Sequence, residues 1–360
     1  MVKATKKYTF EPDYAVAPGE TLLETMESLD MTQKELAVRT GITVQSLNRI
    51  FKGEQPISYE TANRLELAVG VPAAMWNNLE ALYREQLAKI SERERLEADL
   101  AWLQEIPVAE LVKRKVLPKL KDKVAQLRAV LAFYGVSSVD AWHALWDEPA
   151  VAVRRSLCFN SCPGPASAWI RQGEIAAHSV QCAEFSKVKL QLAVQEIRKL
   201  TVLDPEHFIK LMQTLCAEAG VALVLVPEMK KAPWYGATKW LAPGKVLILL
   251  NLRGKAEDLF WFAFFHEAGH VLHDNKKDLL INTGKPDQKD TREIHANQYA
   301  AEVLIPRRYN ERIKHMVSKK EILEIAKELA IAPGIVAGRY QHLTGKWNFF
   351  NDLQRKFEWS

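Results

Sequence analysis

Between residue 20 and about residue 85, apolar positions recur at helical spacing in short runs, each preceded by a side chain suited to start a helix. This predicts a compact all-helical unit. Thr32-Gln33-Lys34-Glu35 has the form of a capping box, in which the Thr32 hydroxyl takes the Glu35 amide proton and the Glu35 carboxylate returns to Thr32. Thr43 and Ser58 are further N-cap residues, so two more helices follow. From Leu79 to about Gln104 the chain is rich in Glu, Arg, Leu and Ala with few breakers, the pattern of a long exposed helix. A second helical stretch, Val108 to Trp146, is punctuated by Pro118 and Gly135.

Around Cys158 to Pro165 the pattern lapses into a loop that marks the entry to a carboxy-terminal domain. Helices are predicted over Ala166 to His178 and Ser186 to Leu200. Another starts at Asp204-Pro205, an N-cap followed by a proline at the first helical position, and runs to Ala219. The unbroken apolar run Val221 to Val226 predicts a buried strand, and Gly236 to Leu241 with Val246 to Leu252 predicts a hairpin around Pro243-Gly244. A small sheet among helices is therefore expected.

Composition adds little to this picture. The 360 residues are 48% hydrophobic and 26% charged, ordinary for a chain of two or three globular domains. A formal net charge of +5 does not by itself announce a nucleic-acid binder, so any basic surface must be local. Cys158, Cys162, Cys182 and Cys216 form no CxxC pair and no small-scaffold spacing, and Cys158 with Cys162 has no matching second pair for a metal; ordinary thiols in a reducing cytoplasm are expected. Met1 to Tyr8 is basic but lacks the apolar core and cleavage site of a secretion signal. The richest apolar run, Leu259 to Phe265, is far shorter than the roughly 20 residues needed to span a bilayer. A cytoplasmic protein is expected.

The first candidate for chemistry lies between Gln33 and Lys52. Small Ala37 allows two helices to approach, Gly41 can take the positive φ of a tight turn, and Leu47 with Ile50 anchors the second helix. With Thr43 opening that helix, Val44, Gln45, Asn48, Arg49 and Lys52 face outward. Gln45 and Arg49 carry the amide and guanidinium forks suited to adenine and guanine edges, while Gln33, Lys34 and Lys52 suit phosphates. This stretch resembles the XRE, or Cro/CI, family of repressors, with Thr43 to Lys52 matching the recognition helix. Gln55 to Ala62 and Trp76 to Leu79 look like the HigA-type antitoxin branch.

The second candidate is His266-Glu267-Ala268-Gly269-His270. Histidines four apart on a helix project from one face and can hold one zinc ion, and Glu267 is placed to take a proton from activated water and pass it to a leaving amine. About one helix later comes Glu293-Ile294-His295-Ala296-Asn297-Gln298-Tyr299-Ala300-Ala301, continuing to Pro306. On chemistry alone either Glu293 or His295 can be the third ligand. The paired segments closely resemble the ImmA/IrrE family of metallo-endopeptidases. That resemblance implies Glu267 as the catalytic residue, His266, His270 and Glu293 as zinc ligands, and Asn297 as the residue steadying them. His273 is placed to support the site or an oxyanion, or equally to cap the helix. The strand from Val246 to Leu252 resembles the zincin strand that pairs with an extended peptide substrate.

The expected fold is mainly α with a small β-sheet: an N-terminal lambda-repressor-like helical domain, a helical linker and a C-terminal zincin-like α+β domain. The expected limits are 15–85 for the helix-turn-helix domain, 86–160 for a helical linker or dimerisation region, 161–310 for the metallopeptidase domain and 311–360 for a C-terminal helical extension. The function expected is that of a DNA-binding transcriptional regulator, a homodimer on a double-stranded operator, whose zinc endopeptidase domain cleaves a repressor, a toxin or itself. The alternative is an antitoxin-like or prophage-type repressor whose peptidase-like domain only senses metal or ligand.

Overall fold

Thr43 and Ser58 start helices in the way their hydroxyls allow, accepting from the amides of Ser46 and Thr61 at 3.1 Å each. Thr32 accepts from Glu35 at 3.2 Å, but the return half of the expected capping box is replaced. The Glu35 carboxylate turns along its own helix to Arg39, at 2.5 Å, because a guanidinium one turn on competes with the Thr32 amide. The computed structural model describes residues 14–146, 163–230, 234–274, 280–282 and 290–359; Met1 to Tyr8, Cys158 and Cys162 lie outside the described residues. The chain divides into two units, Met1–Ala101 and Trp102–Ser360.

The first unit contains α1 (Pro18–Ser28), α2 (Gln33–Thr40), α3 (Val44–Phe51), α4 (Tyr59–Val69) and the long α5 (Ala73–Ala98). Leu22, Leu36, Leu47, Ile50, Leu65 and Trp76 close into one core. Gly41 ends α2 at φ 67°, a left-handed conformation that costs glycine nothing and lets α3 turn back across α2. Pro72 offers no side-chain cap to α5, and the Glu66 carboxylate supplies it by accepting from the Ala73 amide at 2.5 Å.

In the second unit, α6 (Val108–Lys113), α7 (Lys123–Tyr134) and α8 (Val139–Trp146) precede α9 (Pro163–His178), α10 (Lys187–Lys199) and α11 (Pro205–Glu218). Trp102, Tyr134 and Trp142 pack their rings together, and the Tyr134 hydroxyl bonds Ser167 of α9 at 2.9 Å. The sheet is β1 (Val221–Leu225), β2 (Gly236–Ala242), β3 (Lys245–Leu250) and β4 (Leu280–Asn282), in the order β1-β3-β2-β4. Strand β1 runs parallel to β3, while β2 is antiparallel to both β3 and β4. The predicted hairpin is present.

One expectation about it fails: β3 lies in the middle of the sheet, with both edges taken by β1 and β2, so it has no free edge for a peptide substrate. Its apolar sequence reflects burial on two faces rather than exposure to a partner. Leu249 meets Gly173 of α9 on one face, while Val246, Ile248 and Leu250 join the large core on the other.

That core is built on α12 (Glu257–His273), which carries Phe260, Trp261, Phe264 and Phe265, and it is completed by α13 (Thr291–Leu304), α14 (Asn310–Lys314), α15 (Lys319–Leu329) and α16 (Pro333–Thr344). The start of α12 is fastened by residues far along the chain. The Arg355 Nε donates to the buried Glu257 carboxylate at 2.6 Å, and the Glu257 amide donates to the Arg355 carbonyl at 3.0 Å. Phe357 packs beside Phe208 and Phe260.

Candidate metal centre and nucleic-acid interface

Helix α12 is apolar almost all round, so its polar residues at 266, 267 and 270 are buried with it, each 2% exposed or less. Gly269 permits the next step. A side chain there would meet the Ala296 Cα at 3.3 Å and the Tyr299 ring at 3.1 Å, so its absence allows α13 to lie close against α12. That approach brings the Glu293 carboxylate over the two histidines: Oε2 is 3.4 Å from His266 Nε2, Oε1 is 3.3 Å from His270 Nε2, and the two Nε2 atoms are 2.9 Å apart. Among the described residues, His266, His270 and Glu293 form the group able to hold a metal ion, with ligand atoms within 4.8 Å of one another. His295, the other sequence candidate, is exposed on the opposite side of α13.

Both imidazoles are held from behind. His266 Nδ1 donates to Asn297 Oδ1 at 3.0 Å, and His270 Nδ1 donates to Asp274 Oδ2 at 2.5 Å. These bonds give each Nδ1 proton an oxygen acceptor and turn both Nε2 atoms toward Glu293. Asn297 belongs to the sequence motif; Asp274 lies outside it, although it stands four residues past His270 and so on the same helical face. His273 takes no part in the group. Its Nδ1 donates to the Gly269 carbonyl at 2.9 Å and its ring lies edge-on to Tyr299, because three residues past His270 the helix has turned it outward.

The electrostatics favour a cation. Burial alone would push the Glu293 carboxyl up, but hydrogen bonds from His266 and His270, with their charge, hold it down at about 2. Burial would lower His270, yet its bonds to Asp274 and Glu293 and the charges of Glu267 and Glu293 raise it to about 10. The pocket thus draws positive charge between the histidines and the carboxylate. Two imidazole nitrogens and a carboxylate oxygen, with supported rings, are the donor set that zinc takes in hydrolytic sites.

Glu267 is fully buried beside this group, and burial raises its pKa. Thr238 of β2 donates its hydroxyl to Oε2 at 2.7 Å, while Oε1 is shielded from solvent and has no hydrogen-bond partner among the described residues. Gly236, two residues earlier on the same face of β2, lies directly under the carboxylate. Neither β2 residue was marked by the sequence.

In the first unit, α3 buries Leu47 and Ile50 and exposes Thr43, Val44, Gln45, Asn48, Arg49 and Lys52 on its outer side, as the spacing required; Lys34 at the start of α2 is exposed as well. Gln33 is half-buried. Its amide donates to Asn48 Oδ1 at 2.8 Å and to the Val44 carbonyl at 3.3 Å, tying the start of α2 to the outer face of α3.

Residues 22–76 match the helix-turn-helix family model, and residues 224–340 match the model described as the IrrE N-terminal-like domain. The chain joins these two domains. The helix-turn-helix domain marks a DNA-binding regulator, and its matched span holds all of α2, α3 and α4. The IrrE N-terminal-like domain is peptidase-like; its match opens within β1, closes in α16 and encloses the whole His266, His270 and Glu293 group. No curated protein matches the chain. Among the described residues no helix is long and apolar enough to cross a membrane.

Proposed function

We propose that the chain is a DNA-bound transcriptional regulator whose IrrE N-terminal-like domain is a zinc-dependent endopeptidase, acting on a regulatory protein: a repressor, a toxin or the chain itself. The observation that carries the reading is the state of Glu267. A buried carboxylate with one oxygen lacking a partner among the described residues, beside a ready ligand set, is costly to keep and is accounted for when that oxygen has a task at the site. His266, His270 and Glu293 would hold the zinc, with Asn297 and Asp274 orienting the two rings. The zinc supplies Lewis acidity when bound.

Glu267 Oε1 then takes a proton from the attacking water and returns it to the leaving amine nitrogen, while the surrounding core excludes bulk solvent. A substrate strand is not added at β3. In the helix-turn-helix domain, Gln45, Asn48 and Arg49 read base edges, with Val44 meeting thymine methyls, while Gln33, Lys34, Thr43 and Lys52 engage the backbone. We place the protein in the cytoplasm as a homodimer on a two-fold symmetric operator.

Glu267→Gln is the test. The variant keeps about one zinc per chain and loses cleavage of labelled casein and of its regulatory target. A variant that regulates normally in cells while retaining zinc would instead support metal or ligand sensing without turnover.

A further inference from the structure

Thr238 is an anomaly in its surroundings. It stands 2% exposed in a strand flanked by Ala237 and paired with Ile248, a place where valine would bury the same volume without a hydroxyl to satisfy. Among the described residues the hydroxyl is satisfied by Glu267: it donates to Oε2 at 2.7 Å, with the Glu267 carbonyl 3.4 Å away. Gly236 is matched to the same residue. A methyl group built there would meet Glu267 Oε1 at 2.7 Å, Cγ at 2.8 Å and Cδ at 3.0 Å, and these are the three nearest atoms. Its backbone is ordinary extended strand, so what glycine provides is room rather than an unusual φ.

We propose that Thr238 and Gly236 form the seat of the Glu267 carboxylate and that Thr238 is a positioning residue for the peptidase reaction. The hydroxyl fixes Oε2 and thereby leaves Oε1 as the oxygen that exchanges the proton. Gly236 opens the space into which the carboxylate is drawn. Strand β2 thus does for the base what Asn297 and Asp274 do for the imidazoles: it holds the side chain in one orientation from behind. The inference rests on Glu267 being the general base.

The experiment uses the full zinc-loaded chain carrying Thr238→Val, Thr238→Ser and Gly236→Ala, alone and with Glu267→Ala or Glu267→Gln. The first readout is a double-mutant cycle on thermal midpoints. Thr238→Val lowers the midpoint by several degrees in the parent and by about a degree or less in the Glu267→Ala background. Additive shifts show that Thr238 acts through something other than Glu267, and they overturn the proposal without reference to turnover.

The second readout is cleavage of fluorescently labelled casein with zinc content measured alongside. Thr238→Val lowers kcat roughly 10–100-fold with KM held within about twofold, Thr238→Ser recovers most of the loss, and zinc stays at about one per chain. Gly236→Ala folds and binds zinc but loses kcat to a similar degree. Loss of cleavage in Glu267→Gln with none in Thr238→Val removes the seat and leaves the base. Cleavage that survives Glu267→Gln removes the base and the proposal with it.

Discussion

The two units place their working residues in opposite environments. In the helix-turn-helix domain the residues proposed to read DNA stand on the outside of α3 and the core beneath only aims them. In the IrrE N-terminal-like domain the polar residues of the candidate metal centre are themselves part of the core, on a helix buried along nearly its whole length. In the first arrangement an exposed reading side chain can change while the core beneath it keeps its packing. The second couples chemistry to packing, because an imidazole or carboxylate in an apolar interior requires its partners.

The sharpest way to break this comparison is His266→Ala, for which we expect about one zinc per chain to fall to none by elemental analysis. Retention of the metal would mean that the buried group is not the site. Next in size is Arg355→Ala, which strips the guanidinium from the fully buried Glu257 and leaves the backbone amide at 355 donating to its Oε1 at 3.1 Å. A loss of roughly 2–4 kcal/mol in urea unfolding is expected, below the full cost of breaking a buried pair because Arg355 is partly exposed.

Asn297→Ala should weaken zinc binding about 10–100-fold in a competition titration, since the His266 ring is then no longer held; an unchanged affinity would make Asn297 a packing residue. The smallest effect belongs to the surface unit. Thr43→Ala removes the N-cap of α3 and should cost about 1 kcal/mol of stability, with zinc content unaltered. If that substitution also emptied the metal site, the two regions would not be separable in the way described.

Legibility in the sequence follows the same division. The helix starts at Thr43 and Ser58, the turn at Gly41 and the outward set on α3 follow from local rules, because each signal and its effect lie within a few residues. The His266, His270 and Glu293 group was readable for a second reason: two helical spacings and a resemblance gave it away. What was not readable depends on long-range register. Nothing near Thr238 or Gly236 announces that they will lie under Glu267, since only the pairing of β2 with β3 and the seating of α12 on that face decide it.

The central place of β3 was hidden likewise, because an apolar run is compatible with an edge or a middle position. Asp274 was within reach, four residues past His270. The Glu35 carboxylate has two partners at helical distance, Thr32 and Arg39, and sequence alone does not rank them.

The tie between Glu257 and Arg355 also has a meaning in time. The carboxylate that opens the metal helix emerges from the ribosome 98 residues before the guanidinium that neutralises it. At about 5–20 residues per second that is a wait of roughly 5–20 s. The DNA-binding unit, complete by Ala101, can be folded well before then. A nascent chain can therefore hold its DNA-binding unit ready while its peptidase-like half is still unsealed, so the metal-ligand group of that half is closed in last.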